Sequence, residues 1–453
     1  MNKNIFSLMF VFILIAGFSV YAQDASRLET IKYGTETEIA SLIQTLRNEK
    51  AEYLDDELVV LIENTRNQKI LSGVFAFFGE REKSGLEERA IRAIDERDEE
   101  ANETVLSAIE YLGKVKHSQA VPVIMRILDT EERRFLNTSF RALGRCASAD
   151  SEAADEAADF LIDFYTYRDP GDDNRREVII AIGASGSAKG VPLLCEIASN
   201  DDERIPLRIA ALDSLSKIGD PGGLETILNC VSVNDPNVRS AAVGALGPFS
   251  GEEVDKAILD AFRDSYYRTR IAAAQASRDR RFAEAVPYLK YRAERDEVPN
   301  VKDEAIRALG AIANEESIEI LKSLFLERKG SDRIRLLSAE MLMKNAAAEN
   351  LGKLIVELDD AKTKNQTALY NGFLKVIGET VVNGDKELME SITRRFLRNG
   401  GVIEKSYGLD MAVNNSLTEL SAEIKAVTDD RNVSLANKAQ RTAQRLGIEI
   451  SNE

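Results

Sequence analysis

The chain has 453 residues, which is long for one compact core but natural for a linear array of small units. It is 44% hydrophobic and 6% aromatic and lacks tryptophan, which suits helices packed through alanine, leucine and isoleucine. The net charge of −17 disfavours nucleic acid and anionic lipid as partners, because binding to phosphate groups draws on lysine and arginine.

Residues 1–22 have the pattern of a secretory signal peptide. Lys3 supplies a weak positive start, Ile5 to Phe18 form a short apolar core, and Ala22 is a small residue at a position that signal peptidase reads. We expect cleavage before Gln23, although an uncleaved anchor remains the alternative. The mature chain is therefore predicted to be extracytoplasmic, in the periplasm if the source is diderm, and not to span the membrane.

Residues 23–100 are predicted to form an N-terminal helical cap and a first repeat. Asp24 to Lys50 has apolar residues at the three-and-four spacing of a helix face, which indicates an opening helix pair. Gln68 to Gly79 indicates a further helix that ends in FAFFG. The charged segment Gly85 to Glu100 is interpreted as a solvated helix or a connector.

Residues 101–345 are predicted to be regular helical repeats, because a short apolar helix that ends in Leu-Gly or Ile-Gly recurs through them. We call the last position of that ending the slot. Along the whole chain the slots are Gly79, Gly113, Gly144, Gly183, Gly219, Gly247, Arg278, Gly310, Met343, Gly378 and Gly447. Pro122, Pro192 and Pro287 each lie nine residues after a slot, where proline fits the first turn of a second helix.

The clearest copy of the unit is VRSAAVGALG, Val238 to Gly247. Asp235 and Pro236 are predicted to start its helix, since aspartate accepts hydrogen bonds from free amides and proline at the first position loses none. Gly247 is predicted to close the helix in a left-handed conformation. Ser250 and Glu253 are predicted to form a capping box for the helix that follows.

Up to Gly378, the longest interval between neighbouring slots is the one from Gly144 to Gly183, and it is attributed to two long inter-helix loops. These are Ala147 to Asp159, a run of alanine, acidic residues and serine, and Tyr165 to Arg176, which contains Asp-Pro-Gly-Asp-Asp. Residues 346–453 are predicted to be divergent C-terminal helical repeats, because the helical spacing continues there while the Leu-Gly ending blurs.

The Ala-x-x-Ala-Leu-Gly core, the Arg or Lys that precedes it and the Val-Pro-x-Leu opening of the second helix together resemble the HEAT-like repeat. The likeness is to the short-loop form that is also found in phycobilisome-lyase-type proteins. This resemblance implies an all-α fold, namely an α-solenoid of roughly eleven or twelve stacked helix pairs. Long arrays of this kind usually bind proteins or peptides, so it also implies a scaffold or adaptor.

Residues that could carry chemistry are few. One histidine, His117, cannot build a histidine-rich metal site, and Cys146, Cys195 and Cys230 lack the spacing of metal ligands. Gly-x-Ser-x-Gly and phosphate-binding glycine motifs are absent from the sequence. No catalytic, cofactor or metal site is assigned, and the chain is not expected to be an enzyme. Cys195 and Cys230 fall on neighbouring second helices, which leaves both free thiols and a disulfide open.

A basic residue precedes many slots, by eight positions in four cases. These residues are Arg134, Arg176, Arg208, Arg239, Arg270, Lys302 and Arg335. One interpretation is a structural ladder, in which each binds an aspartate or a carbonyl of the adjoining unit. The other is a basic stripe that binds an acidic partner.

Two tyrosines and five arginines gather in one part of this acidic chain, and we take them as the candidate partner-binding patch. They are Tyr266, Tyr267, Arg268, Arg270, Arg278, Arg280 and Arg281. Tyrosine and arginine are enriched at interface hot spots, although a solvated face with tyrosines packed on the neighbouring unit would have the same composition.

The favoured function is a non-catalytic, extracytoplasmic scaffold or adaptor whose partners are one or more proteins. A module that recognises cell-wall glycan is the first alternative, and exposed aromatic residues along one face would favour it. An enzyme, or an enzyme subunit related to lyase-type HEAT proteins, is the second, and it would need a pocket of convergent polar groups. No cofactor is expected.

Overall fold

A computed structural model describes residues 25–168, 170–384 and 386–449. Across these ranges the chain forms α-helices joined by loops and short 3-10 turns, and it contains no β-strand. The predicted leader, residues 1–22, lies outside them. The chain divides into two compact units, one ending at Cys230 and the other beginning at Val231. The division into four parts made from the sequence stays a prediction.

The helices of the first unit alternate between two positions in a repeating pair. In chain order they are α1 (25–33), α2 (Glu36–Glu49), α3 (Asp55–Asn64), α4 (Gln68–Glu80), α5 (Glu87–Asp95), α6 (Asn102–Lys114), α7 (Val121–Asp129), α8 (Arg133–Ala147), α9 (Ser151–Tyr167), α10 (Asp172–Ser185), α11 (Val191–Ser199), α12 (Ile205–Ile218) and α13 (Leu224–Cys230). The even-numbered helices pack on one another in order, and we call them first helices. The odd-numbered helices from α3 onward pack beside them, and we call them second helices.

The second unit continues the same alternation. Its helices are α14 (Pro236–Ala245), α15 (Glu252–Ala261), α16 (Tyr267–Asp279), α17 (Val286–Arg295), α18 (Pro299–Ile312), α19 (Glu315–Leu326), α20 (Asp332–Thr363), α21 (Thr367–Glu379), α22 (Glu387–Asn399), α23 (Val402–Asn414), α24 (Ser421–Thr428) and α25 (Val433–Arg445). Helix α20 breaks at Ala346 (φ −145°, ψ 47°), so its two arms act as a first and a second helix. From α21 onward the odd-numbered helices are therefore the first helices and the even-numbered ones the second helices.

Within the described ranges, twelve first helices from α2 to α23 are each followed by a second helix. The all-α fold and the stacked pairs of an α-solenoid are thereby confirmed, with the predicted number of pairs. The apolar faces that the spacing indicated are buried, as Ile39, Ile43 and Leu46 in α2 and Val254 and Ile258 in α15 show.

The start of α14 forms as the sequence predicts. The Asp235 carboxylate accepts hydrogen bonds from the amides of Asn237 (2.8 Å) and Val238 (3.0 Å), and Pro236 is the first helical residue. The capping box predicted for the next helix is wrong. Gly251, with a φ of 129°, precedes α15, and no side chain caps that helix.

Short 3-10 turns connect several first helices to the second helices that follow. They span Ser118–Ala120, Ala188–Gly190, Pro221–Gly223, Ala283–Ala285 and Thr418–Leu420. Pro122, Pro192 and Pro287 lie in the first turn of α7, α11 and α17, as predicted. Proline is tolerated there because the first amides of a helix have no partner within the helix.

The slot glycines do not generally close the helices, so this prediction is corrected. Six of them lie inside first helices, and these are Gly79, Gly113, Gly144, Gly183, Gly310 and Gly378. Gly247 lies beyond the end of α14 and is not left-handed. Only Gly219 (φ 67°) and Gly447 (φ 68°), among the slot glycines, adopt the left-handed conformation.

The six helical slot glycines instead mark where one first helix approaches the next. A Cβ atom on Gly113 would lie 2.9 Å from Cα of Ala142, and one on Gly144 would lie 2.5 Å from the carbonyl oxygen of Ala181. Ala142 and Ala181 each stand two residues before the next slot. Since interiors are packed to crystal-like density, no larger residue fits at these positions without displacing the neighbouring helix.

Three segments that were predicted to be loops or a connector lie largely in packed helices. Ala147 to Asp159 and the start of Tyr165 to Arg176 fall largely within α9, and the long interval from Gly144 to Gly183 reflects this long second helix. Its buried residues recur at helical spacing and include Ala154, Ala157, Ala158, Leu161 and Phe164. Within Gly85 to Glu100, α5 packs against α6 and α7, so the segment is not simply solvated.

Candidate surface site on the second helices

The seven residues of the predicted patch lie at opposite ends of α16. Tyr266, Tyr267, Arg268 and Arg270 stand at its start, whereas Arg278, Arg280 and Arg281 stand at its end. At a rise of about 1.5 Å per residue, the two groups are roughly 18 Å apart. The structure therefore does not bring the seven together into one surface, and whether either end binds a partner stays a prediction.

Arg270 is a structural residue of the second unit. Its guanidinium donates to both carboxylate oxygens of Asp296, at 2.7 and 2.9 Å, and to the carbonyls of Asp264 (3.0 Å) and Ser265 (3.1 Å). Only 11% of its side chain is exposed. Burial alone would raise the pKa of Asp296, but hydrogen bonds from Arg270 and from the Val298 amide hold it below its usual value.

The equivalent residue one unit earlier, Arg239, makes the same set of bonds. It donates to the Asp264 carboxylate at 2.9 and 3.1 Å and to the carbonyls of Val233 (3.0 Å) and Asn234 (2.8 Å). Each arginine thus ties the loop before its own helix to the loop after the next helix. The ladder interpretation is confirmed for these two residues.

Other members of the ladder bind a carbonyl in the same way. Arg208 donates to Ala198 (3.0 Å), Lys302 to Glu294 (3.1 Å) and Arg335 to Phe325 (3.1 Å). Arg134 and Arg176 differ, because they pair with the carboxylates of Glu132 and Glu177 close by in their own units.

The start of α16 presents an accessible Tyr/Arg group. The Tyr266 hydroxyl donates to Asn237 Oδ1 (2.9 Å), and its ring meets that of Tyr267 edge to face at 5.4 Å. Arg268 is exposed and donates to the Tyr267 hydroxyl (3.2 Å), a bond that raises the pKa of its guanidinium. Tyr267 and Arg268 are the members of the predicted patch that a partner could reach here.

The arginines at the end of α16 are mostly held by carboxylates of neighbouring helices. Arg278 pairs with Glu304, and Arg280 pairs with Asp255 at 2.5 Å. Arg281 is exposed and left-handed, with a φ of 50°. Arg278 and Arg280 therefore serve mainly as links between helices.

A second group of tyrosines and arginines, which the sequence analysis missed, lines an open cleft of about 410 Å³. Its lining residues are Arg263, Pro287, Tyr288, Tyr291 and Arg292, and we call it the Tyr/Arg cleft. It lies where α17 meets the segment that follows α15. The sequence signal was the segment YLKYR directly after Val286-Pro287, but the contribution of Arg263 depends on packing.

The Tyr/Arg cleft is built on a buried support. The Phe262 and Tyr288 rings pack at 5.7 Å, and Arg263 donates to the Tyr288 hydroxyl at 3.3 Å. The Arg292 guanidinium lies 5.1 Å from the Tyr291 ring centre. Tyr291 itself is 58% exposed, which leaves a large aromatic surface open to a partner.

The first unit contains a cleft of about 800 Å³ that is lined by charged residues. Most of its charges are paired within the protein. Asp55 accepts from Arg81 (2.5 Å) and from Lys83, and Arg47 binds Glu80. The Tyr/Arg cleft is the stronger candidate, because Tyr291 there leaves a large aromatic surface exposed.

The other residues considered from the sequence show no convergent chemistry. His117 lies in a loop, and Cys146, Cys195 and Cys230 are free thiols. Among the described residues, no three His, Cys, Asp or Glu side chains are grouped as metal ligands would be. Over the same ranges, no helix combines the length and the apolar character that a bilayer span requires.

The family model described as Spirochaete HEAT repeat protein matches residues 31–442 of the chain. No curated protein matches it. Among solved structures, it resembles importin beta (13% identity, TM-score 0.46, 93% of this chain and 66% of that chain). It also resembles Kap121p bound to Ste12p, with 13% identity and a TM-score of 0.43 over 93% of this chain and 52% of that chain. A third likeness is to the complex of CpcE and CpcF of phycocyanin lyase from Nostoc sp. PCC7120, with 14% identity and a TM-score of 0.33 over 64% of this chain and 93% of that chain.

The chain spans 52 to 53% of the length of two of the Kap121p structures that it matches. Because the identities are so low, these likenesses give no information about the partners of this chain.

Proposed function

Because the chain belongs to the family of spirochaete HEAT repeat proteins, we propose that it is an extracytoplasmic, non-catalytic scaffold that binds other proteins. Stacked helix pairs provide a long surface that can be varied unit by unit, and such arrays are well suited to binding extended partners. The leader pattern of residues 1–22 supports the location, and the scarcity of catalytic motifs in the sequence supports the non-catalytic role.

The observation that carries the proposal is the Tyr/Arg cleft. Tyr291 is 58% exposed and the Arg263 side chain is 65% exposed, while Tyr288 is anchored between them. Tyrosine and arginine dominate the binding energy of many protein interfaces, since each combines a large contact area with directed polar groups. A partner that covers this cleft would bury aromatic surface now in contact with water.

The test is capture of partners from the envelope fraction after mild crosslinking, followed by binding measurements with each purified partner. We expect Tyr291→Ala to weaken binding at least about tenfold, the loss typical of a hot-spot residue. Tyr167→Ala is the matched control, because Tyr167 is also an exposed tyrosine, 80% exposed, at the end of the second helix α9. Equal binding by both variants and the wild type would overturn the cleft as the binding site.

The same experiment tests the start of α16 through Tyr267→Ala and Arg268→Ala. Arg270 is unsuitable as a probe of binding, because it holds Asp296 and two loop carbonyls. N-terminal sequencing of the recovered protein tests the location, since cleavage is expected before Gln23. A chain that retains residues 1–22 in the cytoplasmic fraction would contradict this part of the proposal.

Recognition of an envelope glycan is the second candidate function, and the exposed ring of Tyr291 beside that of Tyr288 favours it. Aromatic rings of this kind can also stack on sugar rings. A pull-down on insoluble cell-wall glycan, with the Tyr291→Ala and Tyr167→Ala variants in parallel, separates the two functions. Retention that depends on Tyr291 in the absence of protein partners would favour the glycan.

A further inference from the structure

Three consecutive second helices of the second unit alternate in charge. Helix α15 carries four acids and one base (−4 + 1 = −3), which are Glu252, Glu253, Asp255, Asp260 and Lys256. Helix α17 carries three bases and one acid (+3 − 1 = +2), which are Lys290, Arg292, Arg295 and Glu294. Helix α19 carries three acids and one base (−3 + 1 = −2), which are Glu315, Glu316, Glu319 and Lys322.

These three helices are neighbours. The contact between Phe262 and Tyr288, with the bond from Arg263 to Tyr288, joins the end of α15 to α17. Helix α17 packs in turn against α19. Since packed helices lie about 8–10 Å apart, we take the net charge per helix to change sign with a step of roughly 10 Å.

Several of these charges are available to a partner. Lys290 and Arg295 are exposed, and within the described ranges neither has a carboxylate within 4.0 Å. The same holds for the exposed acids Glu252 and Glu315 with respect to basic groups. The central, positively charged helix α17 also carries most of the residues that line the Tyr/Arg cleft. A partner at this cleft would therefore meet positive charge and aromatic surface together.

We propose that the Tyr/Arg cleft binds an extended peptide segment of a partner protein that has an acidic centre and basic flanks. The proposal rests on the scaffold function. A carboxylate beside an aromatic residue or proline would lie over α17, and lysine or arginine on either side would lie over α15 and α19. At about 3.3 Å per residue, the acid and each flanking base are separated by roughly three residues.

Alternating charge selects against other charge patterns as well as for this one. A uniformly acidic segment is attracted to α17 but is repelled by α15 and α19. A uniformly basic segment is attracted to α15 and α19 but is repelled by α17. Electrostatic complementarity of this kind gives specificity and register more than raw affinity, because like charges brought together at an interface are costly. The order of charges, rather than the net charge, is what the surface distinguishes.

The experiment measures fluorescence polarisation with the full mature chain and two labelled peptides of identical composition. One peptide has the order base, acid with tyrosine, base, at three-residue spacing. In the other the same residues are permuted so that the acid is terminal and a base is central. We expect the first to bind at least about tenfold tighter at physiological salt.

The matched variant is Lys290→Glu with Arg295→Glu, which reverses exposed charges without breaking an ion pair or a side-chain hydrogen bond within the described ranges. It is expected to abolish the preference for the acidic centre while circular dichroism stays unchanged. Any of three results would overturn the proposed peptide preference. These are equal affinity for the two peptides, no binding of either peptide, and a preference that the double variant retains. If partner capture still depends on Tyr291 in that case, the scaffold function stands and only the segment chemistry is wrong.

Discussion

Arg270, in the first turn of α16, and Asp296, directly after α17, are joined by two parallel hydrogen bonds of 2.7 and 2.9 Å, and the Asp296 side chain is only 1% exposed. The planar guanidinium matches the carboxylate in this arrangement, which is the strong form of the arginine–carboxylate pair. Together with the pair of Arg239 and Asp264, it connects successive inter-repeat loops in a continuous chain of polar contacts.

Replacing Arg270 with alanine is expected to lower the free energy of unfolding by about 2 to 4 kcal/mol, because Asp296 is left buried with weaker partners. Arg292, at 3.3 Å from Asp296, compensates only in part. Urea denaturation followed by circular dichroism measures the effect. The control is Arg268→Ala on the same helix, which is expected to change stability by less than about 0.5 kcal/mol because Arg268 is exposed. Similar losses in the two variants would contradict the structural role of Arg270.

The pKa of Asp296 lies below its usual 3.8, so this carboxylate favours folding when it is ionised. Its contribution is complete above the unfolded-state pKa and is lost as the pH falls through the lowered folded-state pKa. We expect the stability of the wild type to fall between about pH 5 and pH 3. Asp296→Asn should be less stable at neutral pH but should lose less over that interval. If the free energy of unfolding changed with pH in the same way for both proteins, ionised Asp296 would not contribute to the stability of the fold.

Glycine-to-alanine changes in two first helices are expected to have opposite effects. In Gly144→Ala the new methyl group meets the carbonyl oxygen of Ala181 at 2.5 Å, and such overpacking costs about 1 to 3 kcal/mol. In Gly244→Ala the new methyl group meets no atom within 4 Å, and the higher helix propensity of alanine stabilises by about 0.5 to 1 kcal/mol. Thermal unfolding of both variants tests this, and stabilisation by Gly144→Ala would refute the close helix approach.

Cys146 is expected to resist alkylation in the native protein. It is fully buried, and burial raises the pKa of its thiol to about 12. Because only the thiolate reacts, iodoacetamide at about pH 8 should modify Cys146 only after unfolding. Mass spectrometry of tryptic peptides, with the half-buried Cys195 as the internal comparison, measures the two rates. Equal labelling of both cysteines in the folded chain would be inconsistent with the packed interior around α8.

The sequence predicts best those features that a few neighbouring residues determine. The Asp235 carboxylate accepts its hydrogen bonds from amides two and three residues later, and Pro236 lies between, so the local pattern alone locates the start of α14. The apolar spacing of Val254 and Ile258 likewise fixes which face of α15 is buried.

The features that the sequence did not predict depend on residues far apart in the chain. The role of Gly144 is set by Ala181 on the next first helix, which no local pattern reveals. The start of α9, rich in alanine and acidic residues, was interpreted as a loop from its composition. Its helical packing depends on neighbouring helices that bury its alanines. The Tyr/Arg cleft requires Arg263 to meet Tyr288, 25 residues later, whereas Arg270 and Arg278 are close in sequence but lie at opposite ends of one helix.

The close contact at Gly113 with Ala142 recurs at Gly144 with Ala181, so the repeat that contains α8 carries both halves of the contact by which it packs on its neighbours. A gene duplication that copies this whole repeat therefore copies a working contact with it. The array can lengthen or shorten during evolution in whole repeats, and selection can then alter the outer residues of a new copy without having to invent an interface.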